Sequence, residues 1–131
     1  MAGECILVVE DQPLNMKLIL FLLTSQGYDV RTATNAGETM SALETFLPRL
    51  ILMDIQLPGM DGLELTRCLR ADPRMHAVVI IAVTAYAMKG DEQKARDAGC
   101  DGYITKPIDT RMVLALISDL LRNGSSPPLA A

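Results

Sequence analysis

Five short apolar runs, at 5–9, 30–33, 50–53, 78–83 and 103–104, punctuate this chain, with segments of helical spacing between and after them. That alternation constrains the fold more than any other feature. Strands alternating with helices imply βαβ units, in which parallel strands pair through right-handed crossovers and helices cover both faces. A chain of 131 residues is about one domain and long enough to bury a real core. The expectation is an α/β domain built on a doubly wound, parallel five-stranded (βα)5 sheet.

The intervening segments carry helix punctuation. Pro13 stands where a first helical residue would, and Leu14, Leu18, Phe21 and Leu22 recur at helical spacing as an apolar face. Gly27 stops that helix. Asn35 reads as an N-cap paired with Glu38, ahead of Met40, Leu43 and Leu47. Further helices are expected over 63–71, 89–98 and 109–122, the last carrying Val113, Leu116, Ile117 and Leu120. The domain is expected to span 1–122, and the small, polar, proline-bearing segment 123–131 reads as a disordered tail.

Composition excludes several classes. The net charge is −4 and no Lys/Arg cluster occurs, so direct nucleic-acid binding is not expected. The apolar runs are too short to cross a bilayer and no secretory leader opens the chain, which points to a cytoplasmic protein without membrane insertion. Cys5, Cys68 and Cys100 lack metal-ligand spacing and read as reduced, mostly buried thiols. The eight methionines are scattered and read as core filling, and His76 as a solvated loop residue.

In an open α/β sheet, ligands bind beyond the carboxyl ends of the strands. Strand 1 is followed there by Glu10 and Asp11, strand 3 by Asp54, strand 4 by Thr84, and strand 5 by Lys106 and Pro107. With strand order 2-1-3-4-5, these ends are neighbours. Each residue taken alone has a bland reading: Glu10 and Asp11 as caps of the first helix, Thr84 in a turn, Lys106 as an exposed loop lysine. Asp54 resists one, because it ends "LILMD" where burial is expected. Two carboxylates about 4 Å apart repel by roughly 4 kcal/mol at an effective dielectric of 20. Three together need a cation or must take up protons. Mg²⁺ suits such a site, because it binds through one or two carboxylates, keeps waters and shares itself with phosphate. Asp54 then reads as a carboxylate presented for phosphorylation, with Thr84 and Lys106 stabilising the transferring group. Pro58, Gly59 and Gly62 turn the chain away and leave the pocket open.

The stretches "ILVVEDQPLN" (6–15), "LILMDIQLPGMDGLEL" (50–65), "IIAVTAYAMKGDE" (80–92) and "AGCDGYITKPI" (98–108) together resemble response-regulator receiver domains of two-component signalling, most closely the DivK-like single-domain kind. The resemblance implies a flavodoxin-like fold and Mg²⁺-dependent transfer of a phosphoryl group to Asp54 from a histidine kinase or histidine phosphotransfer protein, Mn²⁺ being the alternative ion. It implies that Asp11, Asp54 and the main-chain carbonyl of Gln56 bind the metal, with Glu10 acting mainly through metal-bound water. Thr84 and Lys106 would contact the phosphoryl oxygens. Tyr103 matches an aromatic that swings inward as the threonine moves, and the Lys106–Pro107 bond is usually cis in such domains. Gln56 and Tyr86 occupy positions that tune hydrolysis of the phospho-aspartate. The domain would be a phosphoacceptor rather than an enzyme, with metal-assisted self-phosphorylation and self-dephosphorylation. Its output would be a downstream protein bound on the face of helix 4, strand 5 and helix 5.

Other classes compete. The chain could be the receiver segment of a hybrid histidine kinase. A metal-dependent phosphatase of the haloacid-dehalogenase type would need an acid two residues after its nucleophile, where Gln56 stands. A flavin carrier would need a neutral or basic phosphate loop after strand 1, and "EDQPLN" is acidic.

Overall fold

A computed structural model describes residues 3–85 and 89–123. Five strands, β1 (Cys5–Val9), β2 (Asp29–Ala33), β3 (Leu50–Asp54), β4 (Val79–Thr84) and β5 (Gly102–Thr105), form one sheet in the order β2-β1-β3-β4-β5. All four pairings are parallel. The helices are α1 (Pro13–Ser25), α2 (Ala36–Thr45), α3 (Gly62–Arg70), α4 (Asp91–Ala98) and α5 (Thr110–Asn123), with a single 3₁₀ turn at Pro73–Met75. The expected fold class and strand order are both found. Tyr86 and the tail from 124 onward lie outside the described residues.

The sheet divides two apolar layers. Leu7, Val9, Ile51, Met53, Ile80 and Ala82 face α2, α3 and α4. Their alternates Ile6, Val8, Leu50, Leu52, Val79 and Ile81 face α1 and α5. Because β3 and β4 are buried on both faces, their sequences run continuously apolar rather than alternating.

Several sequence expectations need correction. Thr84 and Asp54 are not residues after strands but the last residues of β4 and β3. The ladder therefore fixes their backbone: Asp54 pairs with Val83, and Thr84 with Thr105. The fourth helix begins at Asp91 rather than at 89, because Gly90 sits at φ +89°, a left-handed conformation that cannot continue a helix. In α1 the buried residues are Ile19 and Leu23, whereas Leu14 and Phe21 are 80% and 71% exposed. That helix is apolar nearly all round, so periodicity could not choose its face. Glu10 and Asp11 do not cap α1, whose N-cap is Gln12 without a side-chain bond. Asn35 does cap α2, accepting from the Glu38 N–H. The Glu38 carboxylate returns to Thr34, not to Asn35. Met53 and Met75 fill the core, but Met40 and Met112 are exposed, as is Cys68.

Candidate functional site

The carboxyl end of β1 delivers Glu10 into the interior, where it is 2% exposed. Its Oε2 accepts the Gln12 N–H at 3.0 Å. Asp54, also 2% exposed, is held at Oδ1 by the Gln56 N–H at 3.0 Å. Asp11 is the solvent-facing member of the trio, and carboxylate oxygens of all three lie within 4.8 Å of one another. At that separation each pair of charges repels by roughly 3–4 kcal/mol at an effective dielectric of 20.

Lys106 partly offsets this repulsion. Its Nζ lies 3.3 Å from Glu10 Oε1 and 3.3 Å from Asp54 Oδ2. One ammonium cannot neutralise three carboxylates, so Asp54 is pushed up to about 6, by burial first and by Glu10 second, against the pull of the Gln56 N–H and Lys106. Burial alone would lower the Lys106 ammonium, but Asp54 and Glu10 outweigh it and hold it above the ordinary lysine range. The Lys106–Pro107 peptide bond is cis.

Thr84, 1% exposed, completes the rim from β4. Its Oγ1 accepts from Gln56 Nε2 at 2.8 Å. Tyr103 pairs with Ala82, two residues before Thr84, and so shares its side of the sheet. Among the described residues its hydroxyl is buried without a hydrogen-bond partner. Burial, then Asp91 and Glu92, raise its phenol above the ordinary tyrosine range. A buried polar atom left unpaired costs about 1–3 kcal/mol.

The β3–α3 loop forms the outer wall. Asp61 caps α3 by accepting the Leu63 N–H at 3.0 Å. Gly62 packs directly on the end of β3: a Cβ there would lie 2.4 Å from the Asp54 carbonyl oxygen and 2.7 Å from Ile55 Cα. An open cleft of about 820 Å³ borders the acidic cluster, lined by Asp11, Gln56, Pro58, Met60 and Glu64 among others.

The sequence-predicted residues Glu10, Asp11, Asp54, Gln56, Thr84, Lys106 and Pro107 thus gather at one end of the sheet, and Tyr103 stands behind Thr84. Two features were not foreseen. The Gln56 side chain reaches Thr84, for which no local sequence signal exists. The close approach of Gly62 was legible only as a generic turn glycine.

The model of the response regulator receiver domain family matches residues 6–118. The chain belongs to that family. A polar-differentiation response regulator DivK from Brucella anthropi is 43% identical over 118 residues, covering 90% of this chain and 96% of that protein. A CheY-like receiver domain protein from Methanospirillum hungatei JF-1 superposes with a TM-score of 0.85 at 32% identity, covering 93% of this chain and 96% of that one. The receiver domain of a sensor histidine kinase from Pseudomonas aeruginosa PAO1 does so with a TM-score of 0.84 at 35% identity, covering 92% and 99%, and carries a magnesium ion in its active site cleft. This receiver is a signalling domain of two-component systems, whose members work with histidine kinases or phosphotransfer proteins and with downstream targets. Its flavodoxin-like architecture agrees with both structures. Among the described residues, no helix of the receiver is long and apolar enough to cross a membrane.

Proposed function

We propose that Asp54 is the phosphoacceptor of this receiver. One observation carries the reading: a nearly fully buried carboxylate ends the central strand within salt-bridge reach of Lys106 and within the oxygen cluster of Glu10 and Asp11. An Asp54 carboxylate oxygen attacks phosphorus, the N–P bond of a partner's phosphohistidine breaks, and the histidine takes up a proton. Lys106 and the Thr84 hydroxyl would hold the equatorial oxygens. Small acyl phosphates would serve as alternative donors, and water would later cleave the acyl phosphate.

Hard carboxylate oxygens packed this closely fit Mg²⁺, with Mn²⁺ as a substitute. Asp11, Asp54 and the Gln56 carbonyl would hold the ion, and Glu10 would act through a bound water. When bound, it neutralises carboxylate repulsion and the charge on the phosphoryl oxygens. Mg²⁺ at tenfold its Kd is expected to stabilise the fold by about 1.4 kcal/mol. The melting temperature should rise by on the order of 5 °C. Asp11→Ala should abolish both this shift and metal-dependent phosphorylation, while Glu10→Gln should only weaken them. Equal losses from both variants would show the two roles to be misassigned.

The output route is proposed to run through the face of α4, β5 and α5. Tyr103 supports it: it belongs to β5, shares Thr84's side of the sheet, and its hydroxyl has no hydrogen-bond partner among the described residues. So does the shallow groove beside it, lined by Ile104, Met112 and Leu116. Two states a few kcal/mol apart would suffice for such a switch. Beryllofluoride, standing in for the phosphoryl group, should shift NMR resonances across 84–106. Changes confined to the surroundings of Asp54 would refute this route.

A further inference from the structure

The two ends of α4 are held differently. At the C-terminal end, Arg70, the last residue of α3, spreads its guanidinium over three acceptors. Its Nε donates to the Gly99 carbonyl at 2.9 Å, Nη1 to the Met75 carbonyl at 2.6 Å and Nη2 to Asp101 Oδ2 at 2.7 Å. The same Asp101 oxygen accepts the Ile80 N–H at 3.0 Å, and the Asp101 N–H donates to the Ile80 carbonyl at 2.7 Å. The Arg70 and Asp101 side chains are only 18% and 12% exposed, so solvent screens the pair weakly. Gly99, at φ +113°, ends the helix in a Schellman motif: its N–H donates to the Arg96 carbonyl and the Cys100 N–H to the Ala95 carbonyl, both at 3.0 Å. A Cβ on Gly99 would lie 2.5 Å from Arg70 Cγ, so the arginine stem packs on the glycine itself.

The N-terminal end is held more lightly. The buried residues of α4 are Ala95 and Ala98, both in its second half. Its N-cap, Gly90, gives the first turn no side-chain bond. Beside that turn lies a cavity of about 220 Å³, with Asp91 and Lys94 on one side, Gln56, Asp61 and Leu63 on another, and Thr84 also on its wall. A segment with few buried apolar contacts opens at low cost, and rotation of an element is absorbed by a few residues at its fixed end.

We propose that Arg70 is a positioning residue whose clamp on Gly99, Met75 and Asp101 makes the C-terminal end of α4 a pivot. A change at the acidic site then displaces the helix from its first turn, beside the cavity, while 98–101 stay in place. The pivot deepens the output route above and rests, for its trigger alone, on Asp54 being the phosphoacceptor. A lysine could not replace Arg70, because one ammonium does not reach three acceptors fixed in the plane of a guanidinium.

Amide exchange on the full chain tests the pivot without any ligand. In the wild type, the Gly99, Cys100 and Asp101 amides are expected to be at least tenfold more protected than the Lys94 amide. Arg70→Met should lower that protection about tenfold beyond any change at Leu52 in β3, which reports global stability. Should Arg70→Met not fold, Asp101→Asn carries the test. Its amide oxygen can still accept the Ile80 N–H while the ion pair is gone, and the same amides should lose about threefold. Beryllofluoride with Mg²⁺ then supplies the trigger. Wild-type NMR shifts should be at least about twice as large at 90–94 as at 98–101, and the two ends should respond alike in the variant. Equal protection at both ends of wild-type α4, variant amides at 99–101 that follow Leu52, or wild-type shifts as large at 98–101 as at 90–94 would each overturn the proposal. A wild-type protein that binds no beryllofluoride would instead overturn the Asp54 reading and leave the pivot to stand or fall on exchange.

Discussion

Asp54→Asn is expected to stabilise the metal-free protein at pH 7 by roughly 2–3 kcal/mol. The folded-state value of about 6 lies above that of an unfolded aspartate, so the native state binds the proton more tightly than the unfolded chain does. Stability therefore falls as pH rises through the window from about 4 to about 6, and the whole cost is present above it. Asparagine removes the charge, and its side-chain oxygen can still accept the Gln56 N–H. The gain should be largely gone near pH 4, where the folded carboxyl is protonated and the unfolded one about half so. Excess Mg²⁺ should narrow it at pH 7, because the ion relieves the same repulsion. Thermal or urea melts in chelator at pH 4, 6 and 7 give the comparison. A variant less stable than wild type at pH 7, or equally favoured at pH 4 and pH 7, would mean that Lys106 already balances the cluster.

Gly62→Ala is expected to cost about 3 kcal/mol, at the upper end for a small-to-large change in a packed site. Both obstructions to the added methyl are backbone: the Asp54 carbonyl oxygen at 2.4 Å and Ile55 Cα at 2.7 Å. No side chain can rotate away to make room. The Gly62 N–H also donates to the Ile55 carbonyl at 2.8 Å, so α3 cannot retreat without losing that bond. The melting temperature should fall by on the order of 10 °C. Because the strain falls on the peptide that carries Asp54, acceptance of phosphate should fall more than stability alone would require. Refolded variant with unimpaired phosphorylation and an unchanged melting temperature would show that the close approach is slack.

The architecture was legible because its signals were redundant. Buried β3 and β4 read as continuous apolar runs, and Pro13, Gly27 and Asn35 marked helix ends that the structure keeps. The acidic cluster was legible for a different reason: in a parallel sheet, the residue at each strand's carboxyl end is placed by topology alone. What escaped the sequence depends on the third dimension. The α1 face is set by the β1–α1 connection and by which stripe meets the sheet, and a helix apolar on nearly every side does not encode that choice. The Gln56–Thr84 hydrogen bond joins residues 28 positions apart. No local pattern carries it. The reach of β3 and β4 by one residue beyond expectation matters chemically, because it places Asp54 and Thr84 within the rigid ladder rather than on loops.

The central claim is tested most directly by incubating the protein with acetyl phosphate and Mg²⁺ and weighing it intact by mass spectrometry. One added phosphoryl mass is expected, lost on treatment with hydroxylamine as an acyl phosphate should be, absent in chelator and absent in Asp54→Asn. An Asp54→Asn protein that gains the same hydroxylamine-sensitive mass at the same rate would contradict the account.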